Sequence, residues 1–97
     1  MTRSYRSREE ILVAMLRAAS EGAKKTHIMQ RANLNPLMFT KYFPVLLGNN
    51  WVFEADGHDG DPVYRTSNEG KDVMKTLIII HEKIDKNAKA EPAYLLK

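Results

Sequence analysis

The sequence predicts a mainly α domain with a small β-hairpin, an α+β class in which a three-helix core is followed by the hairpin and a long last helix. Three observations predict it. Residues 24–52 read as a short helix, a tight Asn33-Leu34-Asn35 turn and a second helix that runs straight into a strand. Two short aromatic and β-branched stretches, WVFEA and PVYRT, flank the turn-rich DGHDGD. Large apolar residues then recur at helical spacing as far as Ile84. Ninety-seven residues, 43% hydrophobic and 28% charged, suit one globular domain with a limited core. A core of that size makes oligomerisation a natural further source of stability.

The first helix spans 7–20. Ser7 and Glu10 make a capping box, and Ile11, Leu12, Met15, Leu16 and Ala19 draw one apolar stripe. Gly22 is the C-cap candidate, and 22–25 has room for a very short extended segment. The second helix starts at Thr26, or at His27 with Thr26 as its cap, and ends at 31–32. Leu34 in the turn points inward. The third helix spans 36–47, capped by Asn35 with Pro36 in its first turn. Phe39, Tyr42, Phe43 and Leu46 form its buried face. Pro44 lacks a backbone donor and is expected to kink or shorten this helix.

Gly48, Asn49 and Asn50 end it. Residues 51–55 and 62–66 form the hairpin, with Val52 or Trp51 anchored inward and one Phe or Tyr half exposed. Thr66 and Glu69 read as a second capping box that opens the last helix, which reaches 87–90. Val73, Leu77, Ile80 and Ile84 repeat at coiled-coil spacing, and Met74, Ile78 and His81 widen the stripe. Ile79 falls outside it. Pro92 stops the helix, and Tyr94, Leu95 and Leu96 lie in a short tail.

Charge is uneven along the chain. Residues 1–48 hold eight Lys and Arg against three Glu, a balance of +5, whereas the remainder carries −2. The basic excess coincides with the helix-turn-helix and suits a polyanion-facing surface. No cysteine is present, which excludes disulfides and thiolate metal sites and fits an intracellular protein. The start MTRSYRSREE is polar, unlike a signal peptide, and the apolar run at 77–80 is too short to span a bilayer.

The run GAKKTHIMQRANLN, then Tyr42-Phe43 and Leu46, Trp51-Val52, a hairpin and TSNEGKDVM resembles the winged helix-turn-helix proteins common in archaea. The lysine pair and threonine of that family fall on Lys24, Lys25 and Thr26, its turn on Ala32, Asn33 and Leu34, and its threonine-x-x-glycine motif on 66–70. The resemblance covers roughly residues 7–85. It implies a transcription regulator or chromatin-associated factor that binds double-stranded DNA and dimerises through its last helix, in the cytoplasm on the nucleoid. The domain plan it implies is a basic arm at 1–6, a winged helix-turn-helix at 7–66, a dimerisation helix at 67–90 and a tail at 91–97. Three departures stand out: prolines at 36 and 44 of the recognition helix, Asn50 in place of a glycine, and an acidic wing of Asp56, Asp59 and Asp61.

On this reading Asn35, Pro36, Leu37, Thr40 and Lys41 line the outward face of the recognition helix. Lys41 meets guanine or phosphate, Thr40 a base edge or phosphate, and Leu37 and Met38 thymine methyls. Lys24, Lys25, Thr26, His27 and Arg31 hold the DNA backbone at the second helix. Arg3, Arg6 and Arg8 form an arm that follows the backbone or enters a minor groove, or else is simply solvated. Arg65 reaches phosphate or pairs with Glu54 across the hairpin. Val73, Met74, Leu77, Ile78, Ile80, His81 and Ile84 form the dimer seam.

The alternative is a protein-interaction module on the same fold, favoured by the acidic wing, by Leu37 and Met38, and by the two prolines. Catalysis is not expected. His27, His58 and His81 are scattered, and no metal-ligand pair, phosphate-binding glycine loop or nucleophile motif is present. The group at 56–61 lacks calcium-loop spacing, so neither a metal nor a cofactor is expected.

Overall fold

Helix α1 (Arg8–Ala18) begins at Ser7, whose hydroxyl accepts from the Glu10 N–H at 3.0 Å while the Glu10 carboxylate accepts from the Ser7 N–H at 2.8 Å. Both halves of the capping box are thus present. A computed structural model describes residues 6–55 and 60–90, the last six of these by their backbone alone. Expectations for Arg3, for Asp56, His58 and Asp59 at the wing tip, and for the tail at 91–97 lie outside the described residues.

Among the described residues, four helices and one two-stranded antiparallel hairpin run in the order α1, α2 (Lys25–Arg31), α3 (Pro36–Gly48), β1 (Val52–Ala55), β2 (Val63–Thr66), α4 (Asn68–Ala90). The core sits where α1, α2, α3 and the hairpin meet. Its fully buried large side chains are Met15, Leu16, Ile28, Leu46 and Val52. Phe43 links layers by stacking on Phe39 at 4.7 Å and meeting Tyr64 edge-on at 5.1 Å. Trp51 is half buried and Phe53 exposed, so Val52 is the inward anchor of the first strand.

Two asparagines in the left-handed conformation fix both ends of α3. Asn33 (φ 58°) follows α2, where Leu34 N–H reaches the Met29 carbonyl and Asn33 N–H the Gln30 carbonyl, both at 3.0 Å. Asn50 (φ 60°) repeats the pattern after α3, with Trp51 N–H on Leu46 and Asn50 N–H on Leu47. Each is a Schellman turn that satisfies helix-end carbonyls and is followed by an apolar residue on the core, Leu34 or Trp51. Asparagine serves here because its short amide tolerates this backbone region better than other non-glycine residues.

Three local expectations need correction, and a fourth in part. Thr26 is neither the start nor the cap of α2. Ala23 exchanges two backbone hydrogen bonds with Tyr64, at 2.9 and 2.8 Å, so the chain leaves this bridge with Lys24 as N-cap and Thr26 as the second residue of the helix. Thr66 does not open α4; it is buried at the end of β2 and its hydroxyl donates to the Leu16 carbonyl at 2.6 Å. The cap is Ser67, whose hydroxyl accepts from Gly70 N–H at 2.9 Å and donates to the Asn50 carbonyl at 2.7 Å. Gly22 does have positive φ, but the C-cap of α1 is Ala19, three residues earlier. Pro44 does not shorten α3, which runs on to Gly48 with the proline ring exposed to solvent. A helix with one missing donor persists when its opposite face is anchored in a core, as Tyr42, Phe43 and Leu46 are.

Candidate nucleic-acid interface

Helix α3 divides into two faces by spacing alone. Tyr42, Phe43 and Leu46 are buried, while Leu37, Lys41, Pro44 and Gly48, spaced four, three and four, lie along the opposite strip and are exposed. Thr40 flanks this strip and is exposed as well. No carboxylate lies anywhere in α3. Asn35 spends its side-chain oxygen on the Met38 N–H at 2.8 Å, which leaves Pro36 and Leu37 as the outward surface of the first turn. Leu37 is 78% exposed, whereas Met38 packs against the core. The Lys41 ammonium lies 5.4 Å from the centre of the Tyr42 ring. Lys41, Arg8, Val45 and Trp51 share the walls of a groove of about 560 Å³ between α1, α3 and α4.

The start of α2 meets the base of the hairpin. Lys24, Lys25 and Thr26 surround a hollow of about 310 Å³ with Asp61, Pro62 and Tyr64. The Lys24 ammonium pairs with the Asp61 carboxylate at 3.3 Å, so the acidic wing engages a lysine assigned to DNA. Lys25 sits 5.6 and 5.7 Å from the Phe43 and Tyr64 ring centres, at the junction of α2, α3 and β2. Thr26 and His27 are exposed.

Two other arginines, Arg31 and Arg6, are bonded within the fold, while Arg65 is exposed. Arg31 donates to the Ala18 carbonyl at 3.3 Å, toward α1. Arg65 stands opposite Phe53 in the hairpin register, whereas Glu54 stands opposite Tyr64. Neighbouring residues of a strand point to opposite faces, so Arg65 and Glu54 do not share one, and the cross-strand pair is not formed. The Arg65 guanidinium instead lies beside Gly22. Arg6 donates to the Ala32 carbonyl at 2.7 Å and to that of Asn33 at 3.3 Å. It thus clamps the turn between α2 and α3, a role that its place in a charged leading segment gave no means of finding.

Helix α4 divides along its length. Val73, Met74 and Leu77 pack against the core of the same chain. Ile78 and His81 are half buried and line a cleft of about 330 Å³ against α1, in which His81 Nε2 lies 3.5 Å from Glu10. The Ser7 N–H bond holds the Glu10 carboxyl below its ordinary pKa against the opposing effect of burial, helped by nearby His81, the Ser7 hydroxyl and Arg6. Ile80 and Ile84 remain 44% and 63% exposed, and Ile79 on the adjoining face is 51% exposed. Among the described residues no group of three or more His, Cys, Asp or Glu is placed to hold a metal ion, and no helix is long and apolar enough to cross a membrane.

The family model described as winged helix-turn-helix matches residues 5–85. The chain belongs to the winged helix-turn-helix family. Among solved structures, this winged helix is similar to Sso10a-2, a DNA-binding protein from Sulfolobus solfataricus, with a TM-score of 0.72 and 21% identity over 95% of this chain and 98% of that one. It is also similar to SSV1 F-93, with a TM-score of 0.61 and 17% identity over 89% and 98% of the two chains. A mutant of Lactococcus lactis ZitR in complex with DNA gives a TM-score of 0.59 at 14% identity, over 92% of this chain and 62% of ZitR. At these identities the likeness establishes the fold. Comparison with curated protein sequences finds no match.

Proposed function

We propose that this winged helix binds double-stranded DNA as a homodimeric transcription regulator of the cytoplasm and nucleoid, with sequence-specific or semi-specific recognition. The observation that carries the reading is the outward strip of α3. It is exposed, free of carboxylates and bounded by Schellman turns at both ends, which suits a helix entering a major groove. Leu37, Thr40 and Lys41 face the bases, with Asn35 and Pro36 at the helix start. Lys24, Lys25, Thr26 and His27 approach the phosphates from α2, and Arg31 and Arg65 stand further out. Residues 7–66 act as the DNA-binding unit. Residues 67–90 join two copies through Ile80 and Ile84, with Ile78 and His81 beside them and Val73, Met74 and Leu77 bracing α4 on its own core. Two similar structures support the partner class, one described as a DNA-binding protein and the other bound to DNA.

One base-facing lysine gives little affinity by itself, so binding depends on phosphate contacts and on two copies acting together. A gel shift with mixed-sequence duplex DNA tests the reading. Retardation that weakens as salt rises supports it. A chain that leaves duplex DNA unshifted at low salt refutes it and leaves the protein-interaction reading, which the Lys24–Asp61 pair and the exposed Leu37 favour.

A further inference from the structure

Past its cap, the first turn of α3 offers an approaching duplex no hydrogen-bonding side chain. The Asn35 amide oxygen is committed to the helix cap, Pro36 has neither a backbone donor nor a polar side chain, and Met38 turns into the core. What projects is Leu37, the most exposed large apolar side chain among the described residues, at 78%. One turn on, Lys41 stands on the same strip, and beyond it Pro44 and Gly48 keep the surface low. The highest points of the strip are therefore one apolar side chain and one cation. Helix-turn-helix proteins bring the start of this helix to the base edges. Among the four standard bases only thymine carries an apolar group on its major-groove edge, its C5-methyl.

We propose that Leu37 reads thymine by burying that methyl group, giving the interface a preference for C5-methylated pyrimidine at the base it meets. This rests on the DNA-binding reading above and adds the base chemistry to it. Lys41 holds register beside Leu37 by reaching phosphate or guanine, so Leu37 supplies discrimination and Lys41 supplies attachment. A protein groove accepting Leu37 is the competing occupant, and the test separates the two.

The experiment measures affinity by fluorescence anisotropy at fixed salt for two duplexes of one mixed sequence, the second carrying uracil wherever the first has thymine. The wild-type chain and Leu37→Ala are compared. Leu37 lies outside the core, so the variant keeps the fold, which thermal unfolding checks. Wild type is expected to bind the thymine duplex about three- to fourfold more tightly for each methyl buried, from the transfer free energy of one such group. Leu37→Ala is expected to bind both duplexes alike. Equal wild-type affinity for the two duplexes overturns the proposal and leaves DNA binding standing. Discrimination that persists undiminished in Leu37→Ala also overturns it. Failure to bind either duplex removes both this proposal and the reading beneath it.

Discussion

Gly70 lies where the first turn of α4 passes over the end of α3, so close that a Cβ there would overlap the Trp51 carbonyl oxygen. That carbonyl is also the acceptor for the Ser67 N–H at 2.9 Å, so it cannot move aside without loosening the start of the helix. Gly70→Ala should therefore destabilise the fold by about 1–3 kcal/mol, the usual cost of overpacking, and lower the melting temperature by several degrees in a calorimetric scan. Glu10 carries a different kind of information. Its pKa is lowered in the fold, chiefly by the Ser7 N–H, so it adds stability above its unfolded pKa and loses that stability as pH falls through the lower, folded value. Glu10→Gln should remove this contribution at neutral pH and flatten the acid limb of a stability-against-pH curve; an unchanged limb would show that the contribution is absent. Ser7 and Glu10 were legible in the sequence because a capping box is a local pattern. Gly70 as a contact was not, because the carbonyl it meets lies nineteen residues away.

The sequence gives the type and order of every element, since each is set by short-range periodicity and turn chemistry. Errors gather where a distant partner overrides a local signal. Thr66 has the spacing of a cap, yet it is drawn into the core by the Leu16 carbonyl, and Ser67 takes its place. Thr26 likewise yields to the Ala23–Tyr64 bridge, which fixes where α2 can start. Helix α4 shows a second limit. Periodicity reveals an apolar stripe but not what covers it, and the stripe is shared between the chain's own core at Val73, Met74 and Leu77 and solvent at Ile80 and Ile84. On the dimer proposal the seam lies in the later half of the helix. Ile80→Glu with Ile84→Glu should convert a sedimenting dimer into a monomer without unfolding it, because both side chains are exposed in the single chain. A wild-type chain that sediments as a monomer at micromolar concentration would contradict the dimer itself.

For the whole molecule, the basic excess of residues 1–48 does not convert directly into a DNA footprint. Arg6 clamps the turn, Arg31 bonds to α1, and Lys24 pairs with Asp61. Composition made these cations equivalent; only the fold shows that Lys25, near the Phe43 and Tyr64 rings, and Lys41, on the outward strip of α3, stand at the proposed interface without such a polar bond among those described. In the proposed dimer, electrostatic attachment therefore rests on few side chains and is multiplied by two copies. The most direct test is the slope of log affinity for duplex DNA against log salt concentration, measured for wild type and for Lys25→Gln with Lys41→Gln. Wild type should give a steep negative slope, and the double variant one shallower by about one unit for each lysine in each bound protomer. A slope near zero for wild type, or an identical slope for the variant, would contradict the claim that this face of the winged helix binds DNA.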